Sequence, residues 1–401
     1  MQELIYTALV PHPPILIPAV GGEESARVKT TFEAMERVAA EVVGLKPDAI
    51  VIISPHGPVF HDAIAVHMLP EIKGDLRAFG ASEIDFTVAI DQDLGALVID
   101  CARQAGITVA PVTAEWADTW NAEALDHGTV VPLNFLIAAG YKGPILPIAM
   151  GMLPPLQLYA FGQALQLAID RYDRSIAVLA SGDLSHRLTP DAPAGYDPEA
   201  REFDREVVEA LGRGDVARLF KLDPEKTEQA GECGLRPLMM LAGTLDGIAV
   251  NPEVLSYENP FGVGYAVVRM CPGQMEVSRQ LLPRLSQERR EGIDRRRVQA
   301  HPVVRIAREA LEQYVRTGME LDFSEGAPHH GTHKWELPPG ATDPAGVFVS
   351  LKVDGLLRGC MGTTEATAPA LALEIVRNAI MAGTEDPRFP PVEEDELDDL
   401  D

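Results

Sequence analysis

Two kinds of apolar segment alternate along the first two thirds of the chain. Runs such as "PDAIVIISPH" (47–56) are apolar at consecutive positions, which is typical of a strand buried on both faces. Segments such as 23–44 place their apolar residues at helical spacing instead. Because strands and helices alternate regularly, we predict one α/β domain over residues 1–272.

The predicted elements of this domain follow one another with few interruptions. The predicted strands are 4–11, 47–56, 63–69, 85–90, 107–112, 143–150 and 175–186, and a β pair within 253–270 closes the domain. The predicted helices are 23–44, 94–106, 156–173, 197–220 and 235–245. The total is enough secondary structure for a sizeable core.

The pattern changes after residue 272. Residues 273–300 are polar and highly charged without a strand pattern, so we interpret them as a linker that is partly helical. A second unit, 301–401, begins with an amphipathic helix at 301–318. It continues with a strand at 346–355, a turn "LLRGCMG" at 356–362 and a helix at 370–383. So few strands predict a thin core for this unit.

Charge restricts the classes of partner. The 401 residues include 34 Lys and Arg against 60 Asp and Glu, a formal net charge of −26. Such a surface repels phosphate groups, so we expect neither nucleic acid nor a membrane as a partner. The arginine-rich run 288–297 is interspersed with acids, and we interpret it as part of the solvated linker.

Cysteine usage and the absence of apolar spans bear on localisation. The four cysteines show no paired spacing, which favours free thiols in a reducing compartment. The N-terminus lacks the basic and apolar regions of a signal peptide, and no run is long enough for a membrane span. We therefore expect a cytoplasmic protein.

Two histidines follow strands in the same way. His12 lies in "VPHPP" after the first strand, and His56 lies in "SPH" after the second. Proline ends a strand and stiffens the loop, and parallel strands lie about 5 Å apart, so both imidazoles can reach one metal ion. His61, five residues beyond His56, is expected at the far side of its loop.

Further chemistry-bearing residues follow later strands. His127 stands in "LDHGTVVPL" before a predicted helix, and "ASGDLSH" presents Asp183, Ser185 and His186 after an apolar strand. Four of the five loops that we place on one edge of the sheet therefore carry a histidine. Ligands bind at this edge in open α/β sheets, so the agreement favours a site over scattered surface residues.

A third metal ligand is expected from "GECG". Two histidines and a carboxylate form the facial triad of non-haem Fe(II) oxygenases, which favours Glu232. Cys233 is the alternative, and a site of two histidines and a cysteine would suit Fe, Cu or Zn. Either residue also has a structural interpretation, Glu232 as a charge at a helix N-terminus and Cys233 as a small buried side chain.

These motifs together resemble a known family. "VPHPP", "SPH", "DHG..VPL", "SGDLSH", the Glu–Cys–Gly stretch and the ending "SYENPFGVGY" stand in the order found in class III extradiol ring-cleavage dioxygenases of the LigB type. The resemblance covers residues 1–272 and is strongest to the branch with the Memo proteins. It implies a mixed sheet with helices on both faces.

The resemblance also implies roles for residues. His12 and His56 would be Fe(II) ligands together with Glu232, whereas the Memo proteins place a cysteine where "CGLRP" has Cys233. His127 and His186 would be the acid–base and substrate-positioning pair. Residues beside them, assigned to the second shell or the substrate, are Asp126, His61, Asp183 and Ser185. The implied reactants are a small aromatic substrate, such as a catechol, and O₂.

The second unit resembles the AMMECR family, whose hallmark is the "LRGC" turn. The matching strings are "HPVVRIAREALEQYV", "GVFVSLK.DG.LRGCMGT" and "EIVRNAI.AG..DPRFPPV..DEL". The family domain continues beyond the last of these, so we expect a partial α+β domain that exposes apolar surface. The two families co-occur with a radical SAM enzyme in the AmmeMemoRadiSam system, which makes such an enzyme a candidate partner.

Two motifs of the second unit have a functional and a structural interpretation. Cys360, next to Arg358 and Gly359, could act as a nucleophile, but no general base stands nearby and we favour a structural role. The loop "PHHGTH" (328–333) could bind metal, but a polar loop without a rigid support is the better interpretation.

The alternative to an extradiol-type dioxygenase is a Memo-like metal-binding protein that does not cleave rings and acts through a peptide or protein partner. The fusion to an AMMECR-like domain favours this alternative, because a purely catabolic enzyme has no obvious need for it. A zinc hydrolase using the same ligands is a third hypothesis. A homodimer is compatible with the sequence.

Overall fold

The computed structural model describes residues 3–116, 124–321, 339–353 and 355–400. The chain divides into two compact units, Met1–Leu285 and Ser286–Asp401. Each unit has its own cluster of buried apolar side chains. The division falls within a helix that begins at Leu282 and ends at Gln299, so most of the segment expected as a linker is helical.

The first unit is built on an eight-stranded sheet with the order β6-β3-β7-β2-β8-β1-β10-β9. Its strands are β1 (Leu4–Val10), β2 (Ala49–Ser54), β3 (Ile64–His67), β6 (Val109–Val112), β7 (Ile145–Ala149), β8 (Ile176–Ser181), β9 (Ile248–Glu258) and β10 (Tyr265–Met275). A separate two-stranded sheet pairs β4 (Glu71–Leu76) with β5 (Ala81–Ala89). The eight-stranded sheet is mixed, as predicted.

The centre of the sheet is parallel. The strands β7, β2, β8 and β1 run side by side in one direction, whereas β3 is antiparallel to β7 and β10 is antiparallel to β1. Every residue of β2 and β8 is buried, which explains their continuous apolar sequences. The carboxyl ends of the four central strands therefore meet at one edge of the sheet.

Helices cover both faces of this sheet. The helices of the first unit are α1 (Pro18–Gly21), α2 (Lys29–Leu45), α3 (Gln92–Gln104), α4 (His127–Ala138), α5 (Pro155–Tyr172), α6 (Ala200–Gly212), α7 (Pro224–Ala230) and α8 (Leu235–Gly243), and the next helix, α9 (Leu282–Gln299), lies mostly in the second unit. Helices α2 and α4 pack together on one face, whereas α5 packs against both α3 and α8 on the other. The prediction of an α/β fold is confirmed.

The strand predicted at 85–90 exists but lies outside the main sheet. It belongs to β5, whose outward residues alternate with half-buried ones, and it pairs with β4 outside the main sheet. The hairpin packs against α4, and the Cβ of any side chain at Gly74 would lie 3.1 Å from Val130 Cγ2. The sequence pattern identifies a strand but does not specify the sheet to which it pairs.

Besides most of α9, the second unit contains the helices α10 (Pro302–Thr317) and α11 (Leu371–Thr384) and a hairpin of β11 (Phe348–Val353) and β12 (Leu356–Gly362). Both strands pack against α11. The prediction of a turn at 356–362 is wrong, because these residues form the second strand of the hairpin. The loop 328–333 lies outside the described residues.

Apolar side chains remain exposed in this unit, and Phe348 is 62% exposed. Across the part of the chain that the structure describes, no helix is both long and apolar enough to traverse a bilayer. The thiols of Cys101, Cys233, Cys271 and Cys360 are all free.

Candidate metal centre

Two strand ends place imidazoles at the carboxyl edge of the central sheet. β1 ends at Val10, and Pro11 then leads to His12; β2 ends at Ser54, and Pro55 leads to His56. Although β8 lies between β1 and β2 in the sheet, the two side chains converge above it. His12 Nε2 lies 3.0 Å from His56 Nε2.

Cys233 joins these two histidines. Its Sγ lies 3.6 Å from His12 Nε2, and the ligand atoms of the three residues all lie within 4.8 Å of one another. Bonds of about 2.0–2.1 Å to nitrogen and about 2.3 Å to sulfur would separate the ligands of one transition metal by roughly 3–3.6 Å. The His12–His56 and His12–Cys233 distances therefore fit a single metal ion.

The ring of His12 is oriented by a hydrogen bond on its other nitrogen. Ser181, the last residue of β8, donates its hydroxyl to the carbonyl oxygen of Gly128, so its Oγ accepts from His12 Nδ1 at 2.9 Å. This chain assigns the proton to Nδ1 and directs the Nε2 lone pair toward Cys233 and His56. Histidine ligands in metal sites are commonly oriented in this way.

Close contact of two glycines brings Cys233 to the sheet edge. A Cβ on Gly182 would lie 2.2 Å from the Cα of Gly234, so the loops that contain them pack backbone to backbone. The Asp183 backbone then donates from N to Cys233 Sγ at 3.3 Å, and its carbonyl oxygen accepts from Cys233 N at 3.2 Å. Burial raises the pKa of the Cys233 thiol, and the nearby Asp183 carboxyl adds to this effect.

The Glu232 side chain is directed elsewhere. Its Oε2 accepts from the backbone N of Leu235 at 2.6 Å, in the first turn of α8. Among the described residues, the group of metal-ligand atoms contains Cys233 and does not contain this carboxylate. The structure thus places Glu232 at a helix N-terminus, where a negative charge is favourable.

His127 lies on the His56 side of the cluster. Its ring stacks on that of His56 with a centroid distance of 4.4 Å and an interplanar angle of 22°. The neighbouring Asp126 is the N-cap of α4, and its carboxylate accepts from Ser54 Oγ, Thr129 N and Thr129 Oγ1. These bonds fix the start of α4, where His127 is the first residue.

His186 lies beside the third candidate ligand, with its Nε2 at 3.8 Å from Cys233 Sγ. The hydroxyl of Ser185 is used within the same loop, because it donates to Ala230 O and accepts from Arg187 N. His127 thus borders the site at His56, and His186 borders it at Cys233. Both residues predicted as an acid–base pair lie beside the three candidate ligands.

Burial controls the charges of the site. Burial lowers the pKa of His56 to about 4, with a smaller contribution from the nearby His127, and it also lowers the pKa values of His12, His127 and His186. The imidazoles are therefore neutral near pH 7, as metal ligands and proton acceptors must be. Burial raises the pKa of Asp183 to about 7.

Asp183 also positions His12. The carboxylate accepts from His12 N through Oδ1 at 3.0 Å, and its Oδ2 lies 4.0 Å from His12 Nε2. The exposed His61 lies in the loop after β2 and belongs to none of the ring pairs or ligand groups found among the described residues. The structure thus brings Asp183 to the site and leaves His61 in solvent.

The "RGC" motif of the second unit, residues 358–360, makes contacts that stabilise the fold. Arg358 forms a two-pronged ion pair with Glu396, with Nε and Nη2 each 2.8 Å from a carboxylate oxygen. A Cβ on Gly359 would lie 2.1 Å from the carbonyl oxygen of Ala382, so the strand contacts α11 closely. Cys360 Sγ accepts from the hydroxyl of Ser350 at 3.2 Å.

Some residues near the site were not predicted from the sequence. Ser54 and Ser181 each end an apolar strand, and a serine at that position beside a functional loop is the only available signal. Phe79 has no signal in the sequence, although its ring centroid lies 5.4 Å from that of His127. His67 is buried at the end of β3 and is not among the three candidate ligands.

The fold and the three converging ligand atoms define an α/β protein with a candidate mononuclear metal centre. Residues 6–268 match the family described as the catalytic LigB subunit of aromatic ring-opening dioxygenase, and residues 304–401 match the AMMECR1 family. The chain belongs to the LigB family and carries an AMMECR1 domain after it. Both resemblances seen in the sequence are confirmed.

Three relatives match different shares of the chain. Protein CA_C1420 of Clostridium acetobutylicum is 36% identical over 98% of this chain and 82% of its own length. The 2-aminophenol 1,6-dioxygenase beta subunit of a Pseudomonas species is 24% identical over 66% of this chain and 93% of its own. A protein of Thermotoga maritima is 48% identical over 25% of this chain, and this chain spans about half (53%) of that relative.

Proposed function

We propose that this protein is a metal-dependent dioxygenase of the extradiol type that acts on a small aromatic substrate such as a catechol. The observation that carries the proposal is the convergence of His12 Nε2, His56 Nε2 and Cys233 Sγ, whose atoms lie within 4.8 Å of one another. Fe(II) is the proposed metal, with Zn or Cu as alternatives for this mixed nitrogen and sulfur set.

Three protein ligands leave coordination positions for other molecules. Fe(II) held by this set would supply the redox chemistry that allows O₂ to react with an aromatic ring. The prolines that flank His12 and the hydrogen bond from its Nδ1 to Ser181 Oγ keep the first ligand rigid. The protein's contribution is therefore a preorganised ligand set, of which His56 is exposed to solvent.

Two further histidines support proton transfer in this site. Burial lowers the pKa of both His127 and His186, so each can accept a proton near neutral pH. His186, beside Cys233, would take the proton of a substrate hydroxyl and return it later in the reaction. His127, stacked on His56, would position O₂ within the site.

A second candidate function is favoured by one observation. Cys233, rather than the Glu232 carboxylate, faces the two histidines, and a thiolate is a softer ligand than the carboxylate of the facial triad. This arrangement suits a Memo-like protein that binds metal without cleaving rings and acts through a protein partner. A radical SAM enzyme is the proposed protein partner, and the proposed location is the cytoplasm.

Oxygen consumption separates the two functions. The Fe(II)-loaded protein would be tested in an oxygen electrode with catechol, protocatechuate and 2-aminophenol, with a reaction lacking substrate as the control. Uptake of one O₂ per substrate, with loss of the aromatic absorption, supports the dioxygenase. A loaded protein that leaves all three rings intact supports the binding protein instead. Substrate turnover by the Zn-loaded protein, without oxygen uptake, would support a hydrolase.

A further inference from the structure

Phe79 is an apolar side chain held in an exposed place. It lies in the tip of the β4–β5 hairpin, where residues 77–79 form one turn of 3-10 helix, and it is 42% exposed. The hairpin is anchored directly beneath this tip, because Leu76 and Ala81 are fully buried. A phenyl ring held in water on an anchored turn carries an unfavourable hydration free energy unless another surface covers it.

The hairpin tip is also fixed in conformation. Gly80 ends the turn with a φ of +85°, a value that strains other residues, and its N donates to the carbonyl oxygen of Arg77 at 3.0 Å. Asp75 Oδ1 accepts from Arg77 N at 3.0 Å, and the Arg77 side chain pairs with Asp85 across the hairpin. Phe79 is therefore presented by a rigid element.

The ring of Phe79 continues an aromatic series that begins at the candidate metal centre. His56 stacks on His127 at 4.4 Å, and His127 contacts Phe79 at 5.4 Å between ring centroids with a tilt of 58°. The series leads from a candidate ligand, through a neutral imidazole, to an exposed phenyl ring. A molecule at the metal centre on the His127 side would meet Phe79 with its part that faces solvent.

We propose that Phe79 is a specificity-determining residue of this site, which packs against the ring of the ligand and selects a flat aromatic body over an aliphatic one. The inference rests on the proposed function and adds a residue to it. Polar chelating atoms of the ligand would face His12, His56 and Cys233, and its apolar body would cover Phe79. Binding sites commonly combine a few polar groups with an apolar wall in this way.

Direct binding tests the inference without turnover. The Fe(II)-loaded protein, under argon, would be titrated calorimetrically with 4-nitrocatechol, an aromatic chelator, and with acetohydroxamate, an aliphatic one. Because aromatic packing is worth about 0.5–1.5 kcal/mol, F79A should raise the Kd of 4-nitrocatechol about 3- to 10-fold. The Kd of acetohydroxamate should change by less than about 2-fold, and F79Y should bind both as the wild type does.

Leu167→Ala is the matched control. Leu167 is exposed to the same fraction, 42%, and stands on α5 about 18 Å along the helix from its first residue. This variant should leave both dissociation constants unchanged. The metal content and Tm of every variant would be measured in parallel, and F79A should equal the wild type in both.

Two results would overturn the inference while the proposed function stands. One is an unchanged Kd for 4-nitrocatechol in F79A; the other is an equal loss of affinity for both chelators, which would indicate a distorted site rather than a lost ring contact. A wild-type protein that binds metal and acetohydroxamate but not 4-nitrocatechol overturns both the inference and the proposed catechol-like substrate. Failure of the wild type to bind any metal overturns the proposed function itself.

Discussion

Cys233 Sγ lies 3.6 Å from Nε2 of His12, although 221 residues separate them in the sequence. The sheet brings His12 to its carboxyl edge, and the contact between Gly182 and Gly234 brings the cysteine to the same place. The contact between the two loops thus fixes which of two adjacent residues, Glu232 or Cys233, faces the histidines.

The hydrogen bond from His12 to Ser181 gives the first prediction. Ser181→Ala removes the acceptor that holds the proton on Nδ1, so the metal affinity should fall about 10- to 100-fold. Metal titration with a competing chelator measures this change. Ser256→Ala is the control, because that buried hydroxyl has no hydrogen-bond partner. Equal affinities in the two variants would contradict the orienting role of Ser181.

The second prediction concerns proton transfer by His186. If this residue takes a proton from the substrate, His186→Gln should lower kcat by about 10²–10⁴-fold while the metal stays bound. His61→Gln, which changes an exposed histidine, should retain wild-type turnover. Turnover and metal content would be measured on the same preparations. A His186→Gln protein with wild-type kcat would remove this residue from the mechanism.

His67 gives a prediction about pH. Burial lowers its pKa from 6.5 to about 4, so the unfolded chain binds the proton first as the pH falls. The folded protein therefore has its full unfolding free energy, as far as His67 is concerned, above about pH 6.5. It loses this contribution as the pH falls toward 4. Between pH 7 and 4.5 this single group should remove roughly 2–3 kcal/mol of unfolding free energy.

His67→Leu should therefore show a weaker loss of stability on acidification than the wild type. Urea unfolding of metal-free protein at pH 7 and pH 4.5 measures the difference, and the other buried histidines contribute equally to both proteins. An identical loss in the variant would mean that His67 does not titrate below its ordinary range in the folded protein.

The motif of the second unit gives a stability prediction. Gly359→Ala places a methyl group against the Ala382 carbonyl oxygen and should destabilise the protein by about 1–3 kcal/mol. Cys360→Ser should cost less than about 1 kcal/mol, since its contact with Ser350 is replaceable. Thermal unfolding of both variants provides the comparison. The reverse order of stabilities would argue for a role of the Cys360 thiol that packing does not explain.

The general fold was predictable because its cause is local. Consecutive apolar residues in β2 and β8 specify strands buried on both faces, and prolines beside His12 and His56 specify where strands end. The β4–β5 hairpin was not assigned to its own sheet, since alternation of exposed residues does not identify a pairing partner. The strand β12 was missed because its two glycines are unusual in strands.

The candidate site was only partly predictable for the same reason. Strand ends identified the histidines, but the choice between Glu232 and Cys233 depends on the packing of a loop some 50 residues earlier in the chain. Phe79 is brought to His127 by a hairpin outside the main sheet, and no sequence period records that contact. Long-range packing therefore determines which residue faces the histidines and where Phe79 lies, and local sequence patterns do not specify either.

Metal analysis of anaerobically purified protein tests the central claim most directly. The wild type and Glu232→Gln should each bind about one transition metal per chain, because the Glu232 carboxylate bonds to Leu235 N rather than facing the histidines. Cys233→Ala and His56→Ala should lose most of that metal, as each removes one of the three converging ligand atoms. Retention of full metal by Cys233→Ala, with loss in Glu232→Gln, would contradict the ligand set proposed here.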